Sequence, residues 1–167
     1  GQVRMFGGSN VEIRLTGDTF DDAYAAAQSF KDETNSMFVH PFEDKDVVIG
    51  QATLALELIE QAVEPIDYIL VPIGGGGLIS GVLHVFKTLS PQTKVIGIEP
   101  EGAPAMHQSL IKGKNVELNE IDPFVDGAAV QKVGDDAFTL CKTYLDKLVL
   151  VSEGKICQSI LKLYNKE

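Results

Sequence analysis

The segment of this sequence richest in chemistry is Val71-Pro72-Ile73-Gly74-Gly75-Gly76-Gly77-Leu78-Ile79-Ser80-Gly81. Four consecutive glycines join an apolar run to a helix-forming run. At a helix start the first N–H groups lack an intrahelical acceptor, and the helix dipole is positive there. Without Cβ atoms, an anion can rest on those groups and the backbone can adopt unusual φ and ψ. Gly74, Gly75, Gly76, Gly77 and Leu78 are therefore the candidate binding residues, for a phosphate, a sulfate or another anion. No lysine lies in the loop, so it is not a Walker loop. The dinucleotide order Gly-x-Gly-x-x-Gly also fails: it would place Ile79 or Ser80 at its last glycine, or Leu78 at its second. A plain turn needs only one or two glycines. Replacing Gly75 and Gly76 by Val is expected to weaken anion binding with little loss of fold.

Other chemistry-bearing side chains are sparse. His40, His84 and His107 lack metal-ligand spacing, and surface or structural roles are expected. Cys141 and Cys157 have no neighbouring base in sequence and read as structural thiols. Glu99 ends an apolar run and reads as a strand-end carboxylate in solvent. It cannot by itself form the oxygen cage that Mg²⁺ or Ca²⁺ needs, so no metal site is expected.

The elements around the glycines alternate. Asp67 to Ile73 is almost entirely apolar, as suits a strand buried on both faces of a parallel sheet. Helices are expected from Leu78 to about Leu89, Ala103 to Ile111 and Asp135 to Leu145. Strands are expected at Lys94–Glu99 and Lys147–Val151, and Ser152 caps a last helix. Upstream, Asp46 caps a long helix from Val47 to about Ala62. Before it, a helix from Phe20 to about Phe30, capped by Asp18 or Thr19, lies between two expected strands, Val11–Leu15 and Ser36–His40. Strand–helix alternation implies right-handed crossovers and an α/β fold, a parallel sheet with helices on both faces.

Composition narrows the function classes. With 14 Lys and Arg against 24 Asp and Glu, the net charge is −10. That argues against nucleic acid and against anionic membranes. No apolar run approaches the ~20 residues of a membrane span, and the N-terminus has no signal-peptide pattern. A content of 44% hydrophobic and 23% charged residues is that of a globular protein. Two cysteines are too few for a disulfide scaffold, so a reduced, cytoplasmic setting is expected. The chain opens on Gly1 without Met and closes on Glu167 inside an amphipathic pattern, which reads as an interior fragment.

The glycine loop resembles the cofactor-phosphate loop of the fold-type II pyridoxal-phosphate enzymes, and several spaced motifs extend that resemblance along the chain. Gly50-Gln51-Ala52-Thr53 is similar to their Gly-Gln-Gly-Thr helix start, with Ala52 for Gly. Asp126-Gly127-Ala128 resembles the segment beside the cofactor ring. Phe6-Gly7-Gly8-Ser9-Asn10, Phe38-Val39-His40-Pro41-Phe42 and Val133-Gly134-Asp135-Asp136 fit the threonine dehydratases within that family.

The resemblance implies a tryptophan synthase β-like fold, here incomplete, with residues 1–45 in a small domain and 46–167 in a large cofactor domain. It implies pyridoxal 5′-phosphate as cofactor, bound by Gly74 to Leu78, and a small amino-acid substrate. The whole enzyme would convert L-threonine to 2-oxobutanoate and ammonia in isoleucine biosynthesis. The family's Schiff-base lysine lies in a Ser-Phe/Tyr-Lys-x-Arg-Gly motif. Ser29-Phe30-Lys31 matches its start, but Asp32-Glu33 follow, and two acids would raise the lysine's pKa where the chemistry needs it lowered. The Ser-x-Gly-Asn-His and Ser-Gly-Gly-Asn segments are not found either. No catalytic residue is therefore assigned, and the chain alone is expected to be inactive. Uncovered apolar surface implies a homo-oligomer. In the family's racemases an Asp follows Glu-Pro at the position of Ala105, which favours the biosynthetic dehydratase. A serine dehydratase or racemase relative, a non-catalytic phosphate-binding module and a nucleotide-binding domain with a degenerate loop remain as alternatives.

Overall fold

The computed structural model describes residues 1–166, the Asp21 side chain apart. They form two compact units, Gly1–Phe38 and the chain from Val39 onward. The first unit holds α1 (Gln2–Gly7) and α2 (Phe20–Thr34). Thr19 starts α2 through a capping box: its hydroxyl accepts from Asp22 N and the Asp22 carboxylate accepts from Thr19 N. Asn35 ends α2 in the left-handed conformation. The expected strands Val11–Leu15 and Ser36–His40 do not form. Alternation tells which side each residue faces, but a strand also needs a neighbouring strand, and the ladders among the described residues do not include either segment.

The second unit contains α3 (Lys45–Gln61), β1 (Tyr68–Pro72), α4 (Gly77–Leu89), β2 (Lys94–Pro100), α5 (Ala105–Lys112), α6 (Asp135–Tyr144), β3 (Lys147–Val151) and α7 (Glu153–Tyr164). Asp44, not Asp46, caps α3, accepting from Asp46 N at 2.9 Å. The three strands lie in the order β1-β2-β3, all parallel. Both crossovers step the same way along the sheet, so the right-handed rule places their helices on one face. The core agrees. Val71 and Val95 from that face pack with Ile79, Val82, Leu83 and Phe86 of α4, Met106 of α5, and Ala137 and Cys141 of α6. The other face carries Tyr68, Leu70, Ile96 and Ile98. Tyr68 is 66% exposed and Leu70 64%.

Helix α3 rides on α4. A Cβ on Gly81 would lie 2.6 Å from Ala52 N and 2.9 Å from Val48 O, so Gly81 is what lets the two backbones approach. Asp146, just before β3, ties the far end of the unit together. It accepts from Lys87 Nζ of α4 at 2.6 Å, from Lys94 Nζ at 3.0 Å and from Val95 N at 2.9 Å.

Candidate functional site

The glycine loop leaves the sheet at the carboxyl end of β1. Ile73 N still donates to Ile98 O, at 2.8 Å, and the chain then turns into α4. Gly75 O accepts from Gly134 N at 2.9 Å. Because the peptide is trans, the Gly76 N–H points the opposite way, off Gly134. Gly76 is the N-cap, at φ 103°, a left-handed conformation in which a side chain would be strained. Its carbonyl accepts from Ser80 N at 3.0 Å and from Ser80 Oγ at 2.7 Å, which turns the Gly77 N–H outward from the helix start. No side chain caps α4. The loop thus presents a set of first-turn amides at the positive end of a helix, with no Cβ between them and a ligand.

The glycines are also demanded by packing, which the sequence does not reveal. A Cβ on Gly75 would enter the Phe42 ring, and one on Gly77 would lie 3.1 Å from Phe42 Cα. A Cβ on Gly76 would collide with Ala137 Cβ. One on Gly74 would lie 3.0 Å from Ala128 Cα and 3.1 Å from Gly127 O, so the Gly127–Ala128 segment sits directly against the loop. Valine at Gly75 and Gly76 would therefore disrupt the fold, contrary to the expectation that such a variant tests binding alone. Phe42 was visible only inside a motif, and Ala137 carried no signal. Behind the loop a cavity of about 470 Å³ opens among α3, α4 and α6, lined by Phe42, Val48, Ala52, Gly81, His84 and Ala137.

The remaining candidates have settings of other kinds. Lys31 lies in the last turn of α2, 45% exposed and 3.5 Å from Asp32. Glu99 is not in solvent. It is 1% exposed and accepts from Met106 N at 2.7 Å and His107 N at 2.8 Å, capping α5 from β2. Burial pushes its carboxyl up to about 7, against those two N–H groups, which pull it down. Neighbouring Cys141 is buried, and burial, then the Glu99 charge, push its thiol up to about 12, so it is a structural thiol. His84 Nδ1 faces Ser80 O at 3.2 Å. His40 Nδ1 accepts from Glu43 N at 3.0 Å. No group of three potential metal ligands exists among the described residues. No helix among them is long and apolar enough to cross a membrane.

A phosphate monoester fits such a loop: open amides, helix polarity and glycine cover suit a small dianion, and no side-chain cation is needed. The family described as pyridoxal-phosphate dependent enzyme matches the chain over residues 1–167. The chain belongs to that family. It is 52% identical, over 99% of its length, to the biosynthetic L-threonine dehydratase of Halalkalibacterium halodurans. It spans 40% of that protein. The processed threonine deaminase isoform 2 of Solanum lycopersicum superposes with a TM-score of 0.88 at 39% identity, covering 98% of this chain and 44% of that one. Maize serine racemase superposes at 0.86 with 31% identity, covering 97% and 49%. These neighbours are fold-type II pyridoxal-phosphate enzymes, and the parallel sheet of this chain is theirs.

Proposed function

We propose that this chain is the cofactor-phosphate portion of a pyridoxal-phosphate dependent threonine dehydratase. The whole protein would convert L-threonine to 2-oxobutanoate and ammonia in isoleucine biosynthesis, in the cytoplasm. The observation that carries this reading is the uncapped start of α4, led by left-handed Gly76, in a chain matched along its full length by dehydratases. Residues 1–45 are assigned to the small domain and 46–167 to the centre of the large cofactor domain. The serine racemase alternative is disfavoured by Glu99. Both its oxygens are engaged as a helix cap, and Ala105 stands where a second carboxylate would complete a metal cage.

Pyridoxal phosphate, when bound, supplies an electron-withdrawing ring that stabilises negative charge at the substrate Cα. The residues of this chain bind and orient. The amides of Gly76, Gly77 and Leu78 would hold the cofactor's phosphate. Gly74, held against Gly127 and Ala128, brings that segment to the same site, where its small residues leave room for a flat ring. The lysine motif of the family is not among these residues, so this chain is assigned a binding role and no proton transfer. General acid–base catalysis contributes ~10²- to 10⁴-fold and positioning more, so the 167-residue chain should deaminate threonine no faster than free cofactor does.

Two measurements test the reading. Titration with inorganic phosphate, followed by amide NMR, should shift Gly76, Gly77 and Leu78 first. The whole protein should form 2-oxobutanoate from threonine while the 167-residue chain does not. Phosphate shifts confined to surface lysines would remove the site assignment, and a whole protein inert toward threonine would remove the substrate.

A further inference from the structure

We propose that the His40–Glu43 turn is a clamp that sets the glycine loop in its phosphate-accepting shape, with Phe42 and Glu43 as positioning residues. This inference rests on the phosphate reading of the loop. Its geometry is a closed chain of contacts. His40 Nδ1 accepts from Phe42 N at 3.3 Å and Glu43 N at 3.0 Å, which folds the turn. The Phe42 ring then occupies the volume that a Cβ on Gly75 would fill, and Phe42 Cα and Cβ lie 3.1 Å from where a Cβ on Gly77 would sit. Glu43 Oε1 accepts from Asp135 N, the first amide of α6, at 2.7 Å, and its Oε2 lies 3.3 Å from His40 Nε2. A Cβ on Gly134 would meet Glu43 Cγ at 2.8 Å, so Glu43 also holds Gly134 in place. Gly134 N in turn donates to Gly75 O.

That last bond is the one that matters for the anion. It fixes the 75–76 peptide plane and so decides which way the Gly76 N–H points. Glycines leave this plane nearly free to flip on conformational grounds. Something else must choose its orientation, and the chain Glu43–Asp135–Gly134–Gly75 does so. Phe42, packed where Cβ atoms on Gly75 and Gly77 would lie, leaves the loop little room to rearrange. The clamp therefore supplies the rigidity that four glycines lack.

Charge makes the proposal separable from simpler accounts. Glu43 is an anion in the network that orients the anion-binding amides. If it acted by charge alone, removing it would tighten phosphate binding. As a positioning residue it gives the opposite result when its acceptor oxygen is lost. The test uses the full chain and inorganic phosphate, read by the amide shifts of Gly76, Gly77 and Leu78. Glu43→Ala should weaken phosphate about 5- to 10-fold, and Glu43→Gln, which keeps an oxygen for Asp135 N, should restore the affinity. Glu57→Ala on exposed α3 removes the same charge elsewhere and should not weaken binding. If Glu43→Ala does not fold, Phe42→Leu replaces it, with weaker phosphate binding again expected. Affinity unchanged or tighter in the variant that folds would overturn the clamp. A wild-type chain whose loop amides ignore phosphate would overturn the loop reading instead, so the two failures are distinct.

Discussion

Gly75 and Gly76 are glycines for two reasons at once, and the two predict different damage. Toward a ligand they offer bare amides, and toward the protein they make room for Phe42 and Ala137. Side chains forced into a packed site cost ~1–3 kcal/mol each. Gly75→Val/Gly76→Val should therefore lower the unfolding free energy by several kcal/mol in a urea titration. Retention of wild-type stability would show that the loop is slack. Glu99 shows another residue whose setting overrides its type. Its carboxyl rises from 4.5 to about 7, so ionising it costs more in the folded chain than in the unfolded one. The sign follows: its contribution is most favourable below about pH 4.5, falls as pH rises to about 7, and is constant above. At ~1.4 kcal/mol per pKa unit the loss is on the order of 3–4 kcal/mol. Denaturation of wild type and Glu99→Gln at pH 5 and pH 8 should show this decline only in the wild type. Equal declines would mean that Glu99 is solvated.

At the scale of elements, patterns that depend on local sequence were legible and those that depend on partners were not. β3 was read to the residue, and β1, α4 and β2 to within one or two, because apolar runs bounded by Gly, Pro and charged residues are local signals. The failed strands at 11–15 and 36–40 needed a partner backbone that no alternation pattern can announce. The glycine loop was legible as a strand-to-helix junction for the same local reason: four glycines between an apolar run and a helix-forming run. Its supports come from two distant segments: Phe42 and Gly134 were visible only as members of motifs, and Glu43 and Ala137 carried no signal. Asp146 is of that second kind. Burial pulls its carboxyl up, but hydrogen bonds from Lys87, Val95 N and Lys94 outweigh it and hold the group at about 2. Its contribution is present above about pH 4 and is lost as pH falls toward 2. Hydrogen bonds to charged groups contribute ~1.5–3 kcal/mol, and Asp146→Ala should cost about that much at pH 7. The variant should also lose part of the acid-induced destabilisation between pH 4 and 2. An unchanged midpoint at pH 7 would show that the two lysines solvate equally well without it.

At the scale of the whole molecule, charge and apolar surface pull in opposite directions. Tyr68, Leu70, Ile96 and Ile98 lie on one face of the sheet, and Tyr68 and Leu70 there are largely exposed. Among the described residues β1 pairs only with β2, so its outer edge is an open sheet edge. Burying a Leu or Ile side chain contributes ~1.5–3 kcal/mol, so a partner on this face gains several such increments. Against this stands a net charge of −10 on every copy. Repulsion between copies is long-ranged at low salt but is screened beyond ~10 Å at 0.1 M and ~3 Å at 1 M. Self-association of the 167-residue chain should therefore strengthen as salt is raised, the reverse of an ion-paired interface. Light scattering across about 0.02 to 1 M salt, which spans the screening lengths above, should show mass rising from monomer toward dimer or larger. Leu70→Lys, which places a cation on the face without touching the core side of the sheet, should hold the chain monomeric at every salt concentration. A wild-type chain that stays monomeric throughout would show that the exposed face is too small or too twisted to bind a second copy. Association that persists in Leu70→Lys would place the contact elsewhere, with α7 next to be tested, since none of its residues is buried.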